Sequence, residues 1–123
     1  MPKKLVLIVE DDESVRKMLE RALSTLYQVD TCVDGISALR RLEADPSPDL
    51  LLCDVMLPGV DGLTVARKAK AHPKTRSVPI VFLTARSTPK DVIQGIQVGA
   101  RQYITKPFKL NDLLDKVKKI LPP

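Results

Sequence analysis

Short apolar runs alternate along the chain with segments whose apolar residues recur every three or four positions. Leu5 to Val9, Gln28 to Val33, Asp49 to Cys53, Ile80 to Leu83 and Gln102 to Thr105 predict five strands. Most of these runs are apolar on both faces, the pattern of strands buried inside a parallel sheet. Between the first two, Val15, Met18, Leu19, Ala22, Leu23 and Leu26 fall at i, i+3, i+4, i+7, i+8 and i+11, one stripe of a helix. Ile36, Leu39 and Leu42 begin a second helix, and Leu63, Ala66 and Ala69 mark a third. Thr88 and Pro89 form a cap and first-turn pair for a fourth, whose inner face is predicted to carry Ile93, Ile96 and Ala100. Leu110, Leu113, Leu114, Val117, Ile120 and Leu121 give the fifth, starting just before Asn111 and Asp112.

Turn residues agree with this division. Pro46, Ser47 and Pro48 lead into the third strand, Gly35 and Gly99 lie at element boundaries, and Pro79 stands where the fourth strand begins and no ladder donor is lost. Strict alternation of strand and helix implies an α/β fold: a doubly wound parallel sheet with right-handed crossovers and helices on both faces. No repeat or linker interrupts it. We expect a single domain over residues 1–123 with its core at 4–121, and Pro122 and Pro123 as a tail or the start of a linker.

Composition narrows the picture further. With 123 residues, 44% of them hydrophobic, the chain can bury a core without disulfides or a structural metal. Cys32 and Cys53 lie in apolar stretches far from any CxxC spacing, so they read as small buried hydrophobes, which fits a reducing cytoplasm. The first apolar run is too short for a signal peptide, and no stretch approaches the roughly 20 apolar residues that span a bilayer. A net charge of +5 permits an acidic partner or nucleic acid. However, the basic residues are dispersed over several helices, only four aromatic residues exist for stacking, and no nucleic-acid motif occurs. Direct nucleic-acid binding is therefore not expected.

In an open parallel sheet, ligands bind beyond the carboxyl ends of the strands. The first strand stops at Glu10, Asp11 and Asp12, the third at Asp54, the fourth at Thr84 and Ala85, and the fifth at Lys106. Singly, each has an ordinary explanation: Asp12 and Glu13 suit the start of a helix, Thr84 a strand, Lys106 a solvated surface. Asp54 does not, because Met56 to Gly59 form a turn and Asp61 is the better cap for the helix that follows. Two carboxylates about 4 Å apart repel by roughly 4 kcal/mol at an effective dielectric near 20, so acids gathered there need positive charge among them. Lys106 balances one. A hard divalent ion held by Asp11, Asp54, a backbone carbonyl and waters, with Glu10 reaching it through water, would balance the rest. The lack of histidine and cysteine ligands favours Mg2+ or Mn2+ over zinc. A metal beside a free carboxylate and an ammonium suits phosphoryl uptake on Asp54.

The stretches LVLIVEDDESVRKML, LLLCDVMLPGVDGL, VPIVFLTA and GARQYITKPF, in that order and spacing, resemble the receiver domain of bacterial two-component response regulators over essentially the whole chain. That resemblance implies a five-stranded, flavodoxin-like sheet of order 2-1-3-4-5 and a signalling switch rather than a turnover enzyme. It implies Asp54 as phosphoacceptor, Glu10 and Asp11 as the acid pair organising Mg2+, and the Met56 main-chain carbonyl as a further ligand. Thr84, Ala85 and Lys106 are implied at the phosphoryl group, Thr84 and Tyr103 as the switch pair, and Lys106 to Pro107 as a peptide that is often cis. The acid pair is Glu-Asp where Asp-Asp is commoner in the family, a change that a water-mediated contact absorbs.

The implied donor is a histidine kinase or a histidine phosphotransfer protein; His72, the chain's one histidine, reads as a surface loop residue. The output is a separate protein or a fused effector domain, reached through the fourth helix, fifth strand and fifth helix. Lys90, Arg101, Lys109, Lys116, Lys118 and Lys119 fall in or near that region and favour an acidic partner surface, with the domain a monomer or a phosphorylation-dependent dimer. Met56 and Arg86 flank the path of an attacking water, and neither is a base that would orient it, so self-dephosphorylation is expected to be slow. A Mg2+-dependent hydrolase passing through an aspartyl phosphate would carry an acid two residues after the nucleophile, where this chain has Met56. A flavin carrier would want a hydroxyl- and glycine-rich first turn, which here is acidic. A binding module that takes up no phosphate stays open as an alternative.

Overall fold

A computed structural model describes residues 2–123. Five strands and five helices alternate: β1 (Leu5–Val9), α1 (Glu13–Ser24), β2 (Gln28–Cys32), α2 (Gly35–Glu43), β3 (Leu50–Cys53), α3 (Gly62–Ala71), β4 (Ile80–Thr84), α4 (Pro89–Gln97), β5 (Gln102–Thr105) and α5 (Leu110–Ile120). The strands form one parallel sheet in the order β2-β1-β3-β4-β5.

Side chains alternate across each strand, and that period of two divides the core into two layers. Leu7, Val9, Leu51, Cys53, Ile80 and Phe82 meet Ala38 and Leu42 of α2 and Leu63, Ala66 and Ala69 of α3. Their neighbours Val6, Ile8, Leu50, Leu52, Val81 and Leu83 face the other way, onto Leu19 and Leu23 of α1 and Leu113 and Val117 of α5. The register Leu7↔Leu51 keeps both layers continuous, so β1, β3 and β4 are buried throughout and read as apolar runs, broken only by Thr84 at the end of β4. Each fully buried leucine or isoleucine contributes roughly 1.5 to 3 kcal/mol.

Four helices begin on side-chain caps. Asp12 accepts from the Val15 N–H at 3.0 Å, Asp34 from Ser37 at 2.8 Å and Asp61 from Thr64 at 2.8 Å. Thr88 and Asp91 form a reciprocal capping box with Pro89 in the first turn, as their spacing predicts. Strand limits differ from expectation by one residue. Val33 lies outside β2, whose ladder with β1 ends at Val9↔Cys32. Asp49 precedes β3, its carboxylate accepting from the Leu5 N–H at 2.8 Å. Thr84 belongs to β4, paired with Thr105.

The α4 stripe requires a correction. Ala100 is buried, but Ile93 and Ile96 are 56% and 49% exposed, and the buried position of α4 is Gly95. The helix turns its glycine inward because the ring of Tyr103 occupies the space beneath it. Met18 and Ile36 likewise lie at the solvent edge of their stripes. Lys106–Pro107 is cis, as the resemblance implies, and so is Asp45–Pro46, which sequence reasoning did not anticipate. His72 is exposed at the end of α3, its Nδ1 accepting from the Lys74 N–H at 3.1 Å. Among the described residues, no helix is long and apolar enough to cross a membrane.

Candidate functional site

The carboxyl ends of β1, β3 and β5 converge on a polar cluster. Glu10, directly after β1, is only 2% exposed, and Asp54, directly after β3, only 5%. Burying two carboxylates is costly unless their oxygens find donors. All four do. Lys106 Nζ donates to Glu10 Oε1 at 2.6 Å and to Asp54 Oδ2 at 2.9 Å, so one ammonium spans both acids. The Asp12 N–H donates to Glu10 Oε2 at 3.1 Å, and the Met56 N–H to Asp54 Oδ1 at 2.9 Å.

Burial pushes the Glu10 carboxyl above the ordinary carboxylate range, with Lys106 and the Asp12 N–H opposing it and the Asp54 charge adding to it. For Lys106, burial by itself would weaken the ammonium, but its hydrogen bonds to Glu10 and Asp54 outweigh that and hold its pKa above the usual value. Cys53, beside the acid, donates its thiol to the Asp54 carbonyl at 3.2 Å, and burial raises its pKa far enough that it is no nucleophile.

Asp11 completes the cluster from the exposed side, and one carboxylate oxygen each of Glu10, Asp11 and Asp54 lies within 4.8 Å of the others. An oxygen-only set at that spacing fits a hard divalent cation, whose ligand oxygens sit about 2.0 to 2.6 Å from the ion and so up to about 5 Å apart. Backbone close approach shapes the same corner. A Cβ on Gly62 would stand 2.1 Å from the Asp54 carbonyl oxygen, so only glycine lets α3 start this near the acid.

The remaining predicted residues surround this cluster without all touching it. Thr84 is fully buried at the end of β4, its hydroxyl oxygen receiving a long 3.4 Å contact from the Arg86 N–H. Ala85 and Arg86 are exposed in the loop that follows, and Met56, two residues after Asp54, is half exposed. Tyr103 reaches this loop from β5: its hydroxyl donates to the Arg86 carbonyl at 2.8 Å, and its ring meets Phe82 edge to face at 6.0 Å between centroids. Pro107 follows Lys106 across the cis peptide. Sequence reasoning missed Arg16, which donates to the carbonyls of Glu10 at 3.0 Å and Asp11 at 3.3 Å and so pins the acidic turn. Its position one helical turn after Asp12 was the available signal.

A groove of about 340 Å³ lies elsewhere, between α2 and α3, lined by Leu39, Leu42, Ala69 and His72 among others. It is largely apolar and sits by the carboxyl ends of those helices, remote from the acids, so it does not compete as the chemical centre.

Comparison with known proteins agrees with this fold. The model of the response regulator receiver domain family matches residues 6–118. The response regulator PleD of Caulobacter vibrioides is 44% identical over 104 residues, which cover 84% of this chain and 23% of that protein, so the chain spans about a quarter of that relative's length. A crystal structure described as a response regulator from Chloroflexus aurantiacus superposes with a TM-score of 0.90 at 40% identity, covering 100% of both chains. The manganese-bound form of response regulator Rcp1 gives 0.82 at 31% identity, covering 95% of this chain and 91% of that one. The chain belongs to the response regulator receiver domain family, whose general function is a phosphoryl-transfer switch in two-component signalling.

Proposed function

We propose that Asp54 takes a phosphoryl group from a phosphohistidine on a histidine kinase or a histidine phosphotransfer protein, and that the phosphorylated domain alters its α4-β5-α5 surface to control an output protein or a fused effector domain. A carboxylate oxygen of Asp54 attacks phosphorus in line; the new O–P bond forms as the P–N bond breaks, and the imidazole leaves with the bonding electron pair. The observation that carries this reading is Lys106 bonded at once to Glu10 and Asp54, on a strand-end rim where Glu10, Asp11 and Asp54 gather within 4.8 Å.

Glu10, Asp11, Asp54 and the Met56 carbonyl would hold Mg2+, with Mn2+ an equivalent, as the manganese-bound Rcp1 supports. The ion would supply charge neutralisation for the phosphoryl oxygens. Lys106 orients the Asp54 carboxylate and pairs with the charge that arrives, while Thr84 and the backbone at Ala85 donate to its oxygens. Since Arg86 follows in the same loop and its carbonyl holds Tyr103, movement at Thr84 reaches Tyr103 directly. Lys90, Arg101, Lys109 and Lys116 flank the responding face and favour an acidic partner. Two buried free thiols accord with a cytoplasmic setting.

Beryllium fluoride with Mg2+ mimics an aspartyl phosphate, and amide NMR spectra read the response. Shifts at Thr84 and Tyr103 are expected in the wild type and not in Asp54→Asn. Identical shifts in both proteins, or none in either, would remove Asp54 from the centre of the chemistry.

A further inference from the structure

We propose that Gly95 is the positioning residue for Tyr103: the bare backbone of α4 at this point forms the seat into which the ring docks, so position 95 sets how much of the population has Tyr103 inward. The inference rests on the switch reading above and adds to it a residue on a different element. A glycine inside a helix forfeits backbone order that alanine would retain. Gly95 lies within α4, two residues before its last, and is its buried residue, with no positive φ to require it. What requires it is the contact. A Cβ built there would stand 2.6 Å from Tyr103 Cδ2, 2.7 Å from Cε2 and 3.2 Å from Phe82 Cδ2, and separations below 3.0 Å are essentially never seen for real Cβ atoms.

One of these neighbours must give way, and the surroundings decide which. Phe82 is fully buried between β3 and β5 and cannot retreat. The α4 backbone is held by its capping box at one end and by the Ala100 N–H donating to the Gly95 carbonyl at the other. Tyr103 is only half-buried, and a single hydrogen bond to the Arg86 carbonyl retains its hydroxyl. The ring therefore swings outward when a methyl group occupies its seat, and the hydroxyl leaves Arg86. That breaks the one side-chain hydrogen bond that, among the described residues, joins β5 to the loop of Ala85 and Arg86 directly after Thr84. Loading of Asp54 would continue while its transmission to β5 fails.

Gly95→Ala tests this in the full chain, in wild-type and Tyr103→Ala backgrounds. Nitration by tetranitromethane reports exposure of Tyr103, with Tyr27, fully buried, as the internal control. Gly95→Ala is expected to raise the Tyr103 nitration rate several-fold and leave Tyr27 unreactive. With beryllium fluoride and Mg2+, the variant should retain the Thr84 amide shift and lose the Tyr103 shift. In urea, Gly95→Ala should lower the unfolding midpoint in the wild-type background and raise it or leave it unchanged when Tyr103 is alanine, since the clash is then gone. Should Gly95→Ala alone fail to fold, Tyr103→Ala must restore folding. An unchanged nitration rate, or an equal loss of midpoint in both backgrounds, overturns the role of Gly95. Absence of any Thr84 shift in the wild type instead defeats the phosphoryl-switch reading, and the nitration and urea results still decide whether Gly95 seats the ring.

Discussion

Lys106→Met removes the ammonium shared by two buried carboxylates while keeping an unbranched side chain of similar length. At separations of 2.6 and 2.9 Å the two contacts correspond to gross attractions of about 6 kcal/mol each at an effective dielectric near 20. The net loss is far smaller, because desolvation already offsets much of it and the folded protein can escape by protonating Glu10. Holding a carboxyl of ordinary pKa 4.5 protonated at pH 7 costs about 3.4 kcal/mol, at 1.36 kcal/mol per pH unit, and that sets a ceiling. We expect the variant to lose about 2 to 3.5 kcal/mol at pH 7 without metal, or roughly 10 °C in Tm for a domain of this size.

The pH dependence follows from the direction of the Glu10 shift. Burial already lifts its folded pKa above 4.5, and the loss of Lys106 lifts it further. Below the unfolded value Glu10 is protonated in both states and the variant carries no penalty from it. As pH rises from 4.5 through the raised folded pKa, the penalty grows, and then it levels off. Urea unfolding of both proteins in EDTA, at pH 4 and pH 7, measures this: the stabilities should converge at pH 4 and separate at pH 7. Mg2+ should narrow the gap at pH 7, since a ligand of the folded state stabilises it by mass action. Equal stability at pH 7, or a deficit that persists undiminished at pH 4, would refute the account of Lys106 as the charge that makes the acid pair tolerable.

Other expectations follow from the same geometry. Gly62→Ala should cost on the order of 1 to 3 kcal/mol in urea unfolding, because its Cβ would overlap the Asp54 carbonyl at 2.1 Å; a neutral effect would show that α3 can shift freely away from the acid. Cys32 and Cys53 are both buried with thiol pKa values raised chiefly by desolvation, so Ellman's reagent at pH 8 should modify neither in the native protein and both in urea; rapid native labelling would contradict the packing of β2 and β3. Met56 and Arg86 are exposed beside the site and neither can act as base toward water, so protein loaded with a small phosphodonor should keep its label for many minutes or longer, and a half-life of seconds would refute this.

The parts of the molecule legible in the sequence are those governed by one dominant force. The two layers of the core follow from apolar burial, and every residue of β1, β3 and β4 except Thr84 is apolar and buried, so the strand limits could be read to within a residue. The acid cluster was legible because parallel strands bring their carboxyl ends to one rim, which makes Glu10, Asp54 and Lys106 neighbours despite separations of 44 to 96 positions along the chain. Apolarity misled at α4, where Ile93 and Ile96 look like an inner stripe. The true contact there is a tyrosine ring against a glycine backbone, and glycine carries no hydropathic signal. Arg16 was missed for a similar reason, since its role is to bond main-chain carbonyls that any sequence possesses. In the proposed switch, the chemistry rests on charged residues at strand ends, whereas the coupling from Asp54 outward rests on steric absences. Substitution of a small residue by a slightly larger one is the perturbation that separates the two: Gly62 acts on the acid itself, and Gly95 on the ring that answers it.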